Sequence, residues 1–492
     1  MSSFSTSGAV RTSGRAQFEN LEGRRLLAAG SVKWALPIGA EQDAMTTDLQ
    51  GNAYVVGRFT GTVDFNPSRR VYAMTAQSPT GDMFIAKYGN KGEFLWGLRF
   101  GDAAGAPVAA DAETARSINF TMNTLRNTAK LPLDPTGSTL WVAGTFSGSL
   151  DFDPHPRRIA TVRATGGTDM FLLGVDQDGV LRAATHLQDL NNETAVVIST
   201  HTIHGPGYIE VIGSQDDGSG DTGLIEGMYD ATGKLHQIGG LSGGGGVSVI
   251  PTGTAVDRDG FRWVTGTVTG NYTVASAYTI VDLVGPTSFV LKFDELGQVR
   301  WGAQIDNATI TGIVTDEASK TSPNGFAIMG TFTGSPNFQL DGLGQPARLH
   351  SAGGLDAFVA RYNTDGRIRW GYRAGGTLDD APLTLHMDGS GGVYMGGQFQ
   401  GTATFGRGRT LVSEGGLDGF MVKYGANGRV LYQTQVGGAG DDAVANVAIG
   451  QGGDVLIAGP LTAPGLYDVL ERRQTLAPFS GNPEDMYLVR LD

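Results

Sequence analysis

The chain has 492 residues, with 49 acidic against 36 basic side chains for a net charge of −13, 76 glycines and no cysteine. That balance excludes a nucleic-acid partner, whose phosphates need a basic face, and the missing thiols exclude disulfides, thiolate metal sites and cysteine catalysis. With 40% hydrophobic residues the chain can bury a large core, while glycine at roughly twice its usual share signals many tight turns.

Residues 1–30 stand apart: Arg11, Arg15, Arg24 and Arg25 make them basic beside an acidic remainder. Their apolar cluster, Leu26 to Ala29, is shorter than the ~7–15 residues of a secretory signal. No stretch anywhere reaches the about 20 apolar residues of a spanning helix. The segment Phe18-Glu-Asn-Leu21-Glu22-Gly-Arg24-Arg-Leu26-Leu27-Ala28 resembles the LEPR-XLL segment at the N-termini of large exported bacterial proteins, with Gly23 in place of its proline. The resemblance implies a disordered, export-associated segment and an extracellular or cell-surface location. The alternative is a disordered tail carrying no address.

From Val32 onward the chain repeats. An apolar strand closing on glycine recurs seven times, ending at Gly57, Gly144, Gly213, Gly266, Gly330, Gly397 and Gly459. A second marker, an Asp-x-aromatic strand, a glycine turn and a tryptophan strand, runs Asp82-Met-Phe84…Gly92…Trp96 and Asp356-Ala-Phe358…Gly366…Trp370. Related copies are Asp169-Met-Phe171…Gly179 and Asp418-Gly-Phe420…Gly428…Tyr432, and Ser288-Phe289…Gly297…Trp301 lacks the Asp. The last copy, Asp485-Met-Tyr487 to Asp492, stops before its glycine turn, and Val32-Lys-Trp34-Ala-Leu-Pro-Ile-Gly39 reads as the strand it lacks. Repeats of this kind decide the whole fold. Shared among seven units, residues 31–492 give roughly 66 each, longer than the ~40–50 of compact propeller repeats; decorated loops account for the excess.

Each unit reads as four short strands. In the sixth they fall near Thr384–Met387, Val393–Phe399, Asp418–Tyr424 and Val430–Val436. Period-2 alternation puts Phe420, Val422 and Tyr424 on one face, and Phe84, Phe171, Ile225, Phe289, Phe358 and Tyr487 extend an apolar column. No useful 3.6-residue period occurs. The expectation is an all-β, seven-bladed propeller over residues 31–492, with four-stranded antiparallel blades and a ring closed by residues 31–39 completing the C-terminal blade.

The unit resembles the bacterial seven-bladed propeller (SBBP-type) repeats. The shared residues are Gly51-Asn52-Ala-Tyr54-Val-Val-Gly57, Gly416-Leu-Asp418-Gly-Phe420-Met-Val-Lys423, and the links Gly375-Gly-Thr-Leu-Asp379-Asp380 and Gly437-Gly-Ala-Gly-Asp441-Asp442. The third unit departs most, with Gly223-Leu-Ile225 lacking the Asp and Gln237 in the tryptophan place. The resemblance implies exported or surface proteins without an assigned activity.

Four constellations are candidate sites. The acid pairs Asp379-Asp380 and Asp441-Asp442, with Gln42-Asp43, Glu113 and Glu193 in similar places, could cluster oxygens for calcium or cap their own turns. The third-strand Asp82, Asp169, Asp356, Asp418 and Asp485 suit turns followed by an outward Lys or Arg. Asp176-Gln-Asp178-Gly179 and Asp257-Arg-Asp259-Gly260 match half a calcium loop without its distal Glu, or simple hairpins. Asp64-Phe-Asn66 and Asp151-Phe-Asp153 put paired oxygens on one strand face, for a cation or sugar contact or a rigid turn.

Catalytic signatures are weak. The seven histidines lack zinc spacing, with His201 and His204 flanking a Gly-Pro-Gly loop, and neither a nucleophile elbow nor a phosphate loop occurs. Gly239–Gly246 lacks the helix of a phosphate cradle. Asp257-Arg-Asp-Gly-Phe-Arg-Trp263 misses the sialidase-box spacing. The expected function is a non-catalytic binding or scaffold module, a monomer without cofactor that presents irregular rim loops (Asn123–Leu133, Gln215–Thr222, Ser319–Asn324) to a protein or polysaccharide. The alternatives are a carbohydrate-active hydrolase or lyase at the channel mouth and a purely structural envelope component. An enzyme should concentrate polar chemistry in one or two units.

Overall fold

A computed structural model describes residues 32–491 apart from 49, 67, 102–113, 122–138, 154–160, 187–192, 202–207, 217–220, 231, 242–245, 317–323, 341, 343–345, 408–409, 451, 461, 463–464, 470–471 and 477–484. The described elements are all strands, and the described pairings within each unit are antiparallel. The first unit orders Glu41–Thr47, Ala53–Phe59, Asp82–Tyr88 and Phe94–Phe100 side by side. The sixth repeats that order with Ala381–Met387, Val393–Phe405, Thr410–Tyr424 and Val430–Val436. This is a propeller-like arrangement of four-stranded sheets.

The second and third strands run longer than the sequence pattern suggests. In the sixth unit their pairing continues beyond the core as Thr402↔Val412 and Thr404↔Thr410. Short hairpins occupy the same place in the first and fourth units, at Thr62–Asp64 with Ala73–Thr75 and Asn271–Ala275 with Ile280–Val284. Much of the extra repeat length is therefore paired strand, which satisfies its own backbone groups.

The recurring glycine of the second strand has a steric cause in five units, and the strand runs on past it. A register shift in the neighbouring first strand, for example between Gln42 and Ala44, pushes a backbone carbonyl toward it. A Cβ at Gly57 would lie 1.9 Å from the Glu41 oxygen, one at Gly330 1.9 Å from that of Thr309, and one at Gly459 2.0 Å from that of Ala443. Only a residue without a side chain tolerates that approach.

The core lies between sheets. Phe84 packs with Leu488 and Ala458 of the seventh unit, and Phe358 with Trp263 and Val290 of the fourth. Each third-strand aromatic thus belongs to a cluster shared with the preceding unit. The innermost strands also follow one another: Glu41–Thr47 contacts both Thr114–Thr121 and Asn446–Ile449, and Ala381–Met387 contacts both Ala308–Thr315 and Asn446–Ile449. Val32–Ile38 lies antiparallel to Met486–Leu491, with Trp34 opposite Arg490 and Pro37 opposite Tyr487.

One inter-sheet contact recurs. The fourth-strand tryptophan of one unit lies on the positive-φ turn glycine of the next: Trp34 on Gly92, Trp96 on Gly179, Trp301 on Gly366 and Trp370 on Gly428. Three of the indoles donate their N–H to a carbonyl in that turn, at Asn90, Gln177 and Ala426. A smaller residue changes the contact predictably. Ala183 replaces tryptophan in the second unit and its Cβ is what Gly233 meets. Gln237 replaces it in the third, and no described atom lies within 4 Å of the Cβ position of Gly297.

Two stability measurements test these contacts. Gly297→Ala should lower unfolding free energy by about 1–2 kcal/mol, the cost of a Cβ in the left-handed region. Gly428→Ala should add about 1–3 kcal/mol of overpacking against Trp370, read by urea titration. Removing residues 1–38 should expose the Met486–Leu491 edge and cause aggregation or a large stability loss; a soluble truncate melting like the parent would contradict the pairing.

Candidate functional site

The acid pairs tie links to loops. Asp379 Oδ1 accepts the Leu355 N–H at 2.8 Å, and Asp441 Oδ1 that of Leu417 at 2.9 Å. Asp380 Oδ2 accepts from Gly376 at 2.7 Å, and Asp442 Oδ2 from Gly438 at 3.0 Å. Burial raises both Asp380 and Asp442 to about 6, with Asp356 and Asp418 respectively adding like charge. Among the described residues, no group of three or more His, Asp or Glu is arranged to hold a metal.

The third-strand acids are buried. Asp82 accepts from Gln77 and Ser78 and pairs with Arg99, and Asp356 accepts from Ala352 at 2.6 Å. They brace the loop upstream of them, not a turn downstream. The basic residues five positions on also differ from expectation: Lys87, Arg361, Lys423 and Arg490 are buried, not outward. The correction has an electrostatic reason, because each meets an acid of its own unit in the turn between the first two strands. Lys87 pairs with Asp48 at 3.5 Å, Lys423 with Asp388 at 3.0 Å, Arg490 with Asp454 at 2.8 Å and Arg361 with Asp316. A desolvated cation needs such a partner. Lys87 and Arg490 then bond carbonyls of the next unit, at Gln177 and Gly51.

The remaining Asp motifs serve turns. Asp176 Oδ1 accepts from Asp178 and Val180, and Asp257 Oδ1 from Asp259 and Phe261. Asp64 accepts from Asn66 and Tyr72, and Asp151 from Asp153. The expected rim segment Asn123–Leu133, residues 1–30, Glu113, His204, half of Gln215–Thr222 and all of Ser319–Asn324 but Asn324 lie outside the described residues.

Chemistry confined to one place occurs where the third and fourth units meet. Arg262, buried, donates to Glu226 at 2.7 Å and to Glu210, and its guanidinium lies 4.8 Å from the Phe293 ring centroid. All three positions are apolar in the other units. Glu210 stands where Tyr54, Trp141, Trp263, Ala327, Tyr394 and Leu456 stand; Glu226 replaces Ile85, Leu172, Val290, Val359, Met421 and Leu488. Arg262 replaces Ala53, Leu140, Ile209, Phe326, Val393 and Val455. Aligning the units on their strand-ending glycines exposes this departure in sequence, but the repeat markers alone draw the eye to what recurs.

Burial, then the Glu210 charge, against the pull of Arg262, pushes Glu226 up to about 8. Both carboxylates accept from the same Arg262 nitrogen, so the pair is held together by one guanidinium. Glu210 and Arg262 are buried, and only Glu226 keeps part of its side chain, 23%, exposed.

No family model and no curated relative matches the chain. Solved structures with similar strand arrangements include a Dyadobacter fermentans protein of unknown function (10% identity, TM-score 0.38, covering 94% of this chain and 99% of that one). Drosophila Plexin A in complex with Semaphorin 1b (9%, 0.39, 94% and 87%) and Synechocystis ACO (11%, 0.38, 93% and 93%) are others.

The cluster makes two predictions. Arg262→Leu alone should destabilise by about 3–5 kcal/mol by stranding two carboxylates, whereas Glu210→Leu, Glu226→Val and Arg262→Val together should be neutral or stabilising by up to about 4 kcal/mol. Because the raised pKa values mean that the folded state holds protons the unfolded chain has released, the share of unfolding free energy set by Asp380, Asp442 and Glu226 should fall as pH rises from about 5 to 8, against an opposite contribution from His186 and His386, whose pKa values burial lowers. Glu226→Gln should flatten the part of that fall above pH 6, measured by urea titrations across pH.

Proposed function

We propose that residues 32–491 form a closed seven-bladed propeller of the SBBP type that serves as a non-catalytic binding module, exported or displayed at the cell surface. Support for closure comes from two contacts that join the ends of the chain and a third that seats the N-terminal strand against the first unit. Val32–Ile38 pairs with Met486–Leu491, the innermost strands of the first and seventh units touch, and Trp34 lies on Gly92. Among the described residues no helix is long and apolar enough to cross a membrane. Residues 1–30 are the export-associated segment in this reading.

The observation that carries the binding function is the concentration of departures at a single boundary. Glu210, Glu226, Arg262 and Gln237 all break the repeat between the third and fourth units. The other acids recur around the sheets and are engaged by turns, links and buried cations, which is architecture. A polar group built into one boundary of a rigid repeat has no counterpart in that architecture, and it suits recognition of a protein or polysaccharide from a fixed frame.

The test immobilises the full chain and offers it envelope and medium fractions of the producing cell, with and without calcium. Wild type should retain one protein or polymer that the Glu210→Leu, Glu226→Val, Arg262→Val variant loses. Equal retention by the two, or none by either, would refute the assignment of this boundary; release of reducing sugar from glycans would replace it with a hydrolase.

A further inference from the structure

We propose that the uncovered turn at Gly297 is a docking slot for a tryptophan side chain carried by a partner polypeptide. The inference deepens the binding reading above and rests on it. Its basis is the repeat itself: four boundaries fill this place with an indole laid across a turn glycine, and three of those indoles donate to a carbonyl two residues before that glycine. At the boundary of the third and fourth units the turn keeps the same form. Gly297 has φ +73°, and its N–H bonds the Asp294 carbonyl at 3.0 Å. The covering side chain is missing, because Gln237 stands where the tryptophan would be and points to solvent.

The consequence is visible in exposure. Under their indoles Gly92, Gly366 and Gly428 are buried and Gly179 is half-buried, and Gly233 is buried under Ala183, whereas Gly297 is exposed, and Leu296 beside it is 74% accessible. A turn shaped like its filled counterparts but left bare, beside the uncovered Leu296, matches a flat aromatic group more closely than it matches water. An indole there would meet the carbonyl of Glu295, the counterpart of Asn90, Gln177 and Ala426.

The indole has to come from another molecule. All six tryptophans of the chain are engaged: Trp34, Trp96, Trp301 and Trp370 on turn glycines, and Trp141 and Trp263 at 1% and 0% exposure inside the core. A second copy of this chain could supply one only by opening its own boundary. The slot also adjoins the charged cluster, since Phe293, which enters the Gly297 turn, lies beneath Arg262.

The experiment uses the full chain and N-acetyl-5-fluoro-tryptophanamide as the probe, followed by fluorine line width. Wild type should broaden the line, and excess N-acetyl-tryptophanamide should reverse the broadening where N-acetyl-leucinamide does not. Gln237→Trp should fill the slot from within, abolish the broadening and raise the melting temperature by several degrees. Gln237→Tyr, which copies Tyr432 of the sixth unit, provides a second filled slot should the larger ring misfold. No broadening by wild type, or equal broadening by either filled variant, overturns the proposal. A partner retained equally by wild type and Gln237→Trp, yet lost when Glu210, Glu226 and Arg262 are replaced, overturns the slot and leaves the binding reading standing.

Discussion

The structure depends on an indole lying across a glycine of the next sheet. A four-stranded sheet has two faces to cover, and here each covers its neighbour, so stability rests on boundaries between units more than on any unit alone. At the outer edge of four boundaries the cover is a tryptophan. Its ring needs a flat floor, which a left-handed glycine turn provides because no Cβ rises from it. The same contact then orients the sheets, since an indole N–H bonded to a turn carbonyl leaves little freedom to rotate one unit against the next.

Two other repeated features act along with it. Second-strand glycines let a shifted carbonyl of the innermost strand come close, which bends the sheet where it narrows toward the centre. Buried lysines and arginines on the third strand are held by acids of the first turn and, through Lys87 and Arg490, reach backbone carbonyls of the following unit. Such pairs add little net stability but are costly to break by halves. They make the register between units specific, because a slipped sheet would strand a charge.

The third unit departs furthest from that regularity. It lacks the tryptophan, the third-strand Asp and the buried lysine, having Gln237, Gly223 and Met228 in or near their places. In exchange it carries Glu210 and Glu226, and Arg262 arrives from the fourth unit to meet them. The boundary has traded a latch for a largely buried polar cluster. Four boundaries close with an indole and the boundary of the second and third units with Ala183, whereas this one leaves its turn glycine uncovered and carries the charged residues, and the proposed binding function is located there for that reason.

The repeat was legible in the amino-acid sequence because its causes are local. A glycine required by a close carbonyl, a glycine required by positive φ and period-2 alternation each leave their mark within a few residues, so the strands, their order and the Trp34 strand as partner of the last copy could be read directly. The third-strand cations could not: spacing from Asp82 to Lys87 or Asp418 to Lys423 looks like a solvated pair, and only the fold brings in Asp48 and Asp388 from the first turn to bury them. The Glu210–Glu226–Arg262 cluster depends on the tertiary structure even more. Its residues come from three strands in two units, and a raised Glu226 pKa arises from desolvation and a second carboxylate, neither of which is a property of the local sequence. What neighbouring residues impose on one another was written in the chain; what distant residues impose through burial was decided by the packing of one sheet on the next.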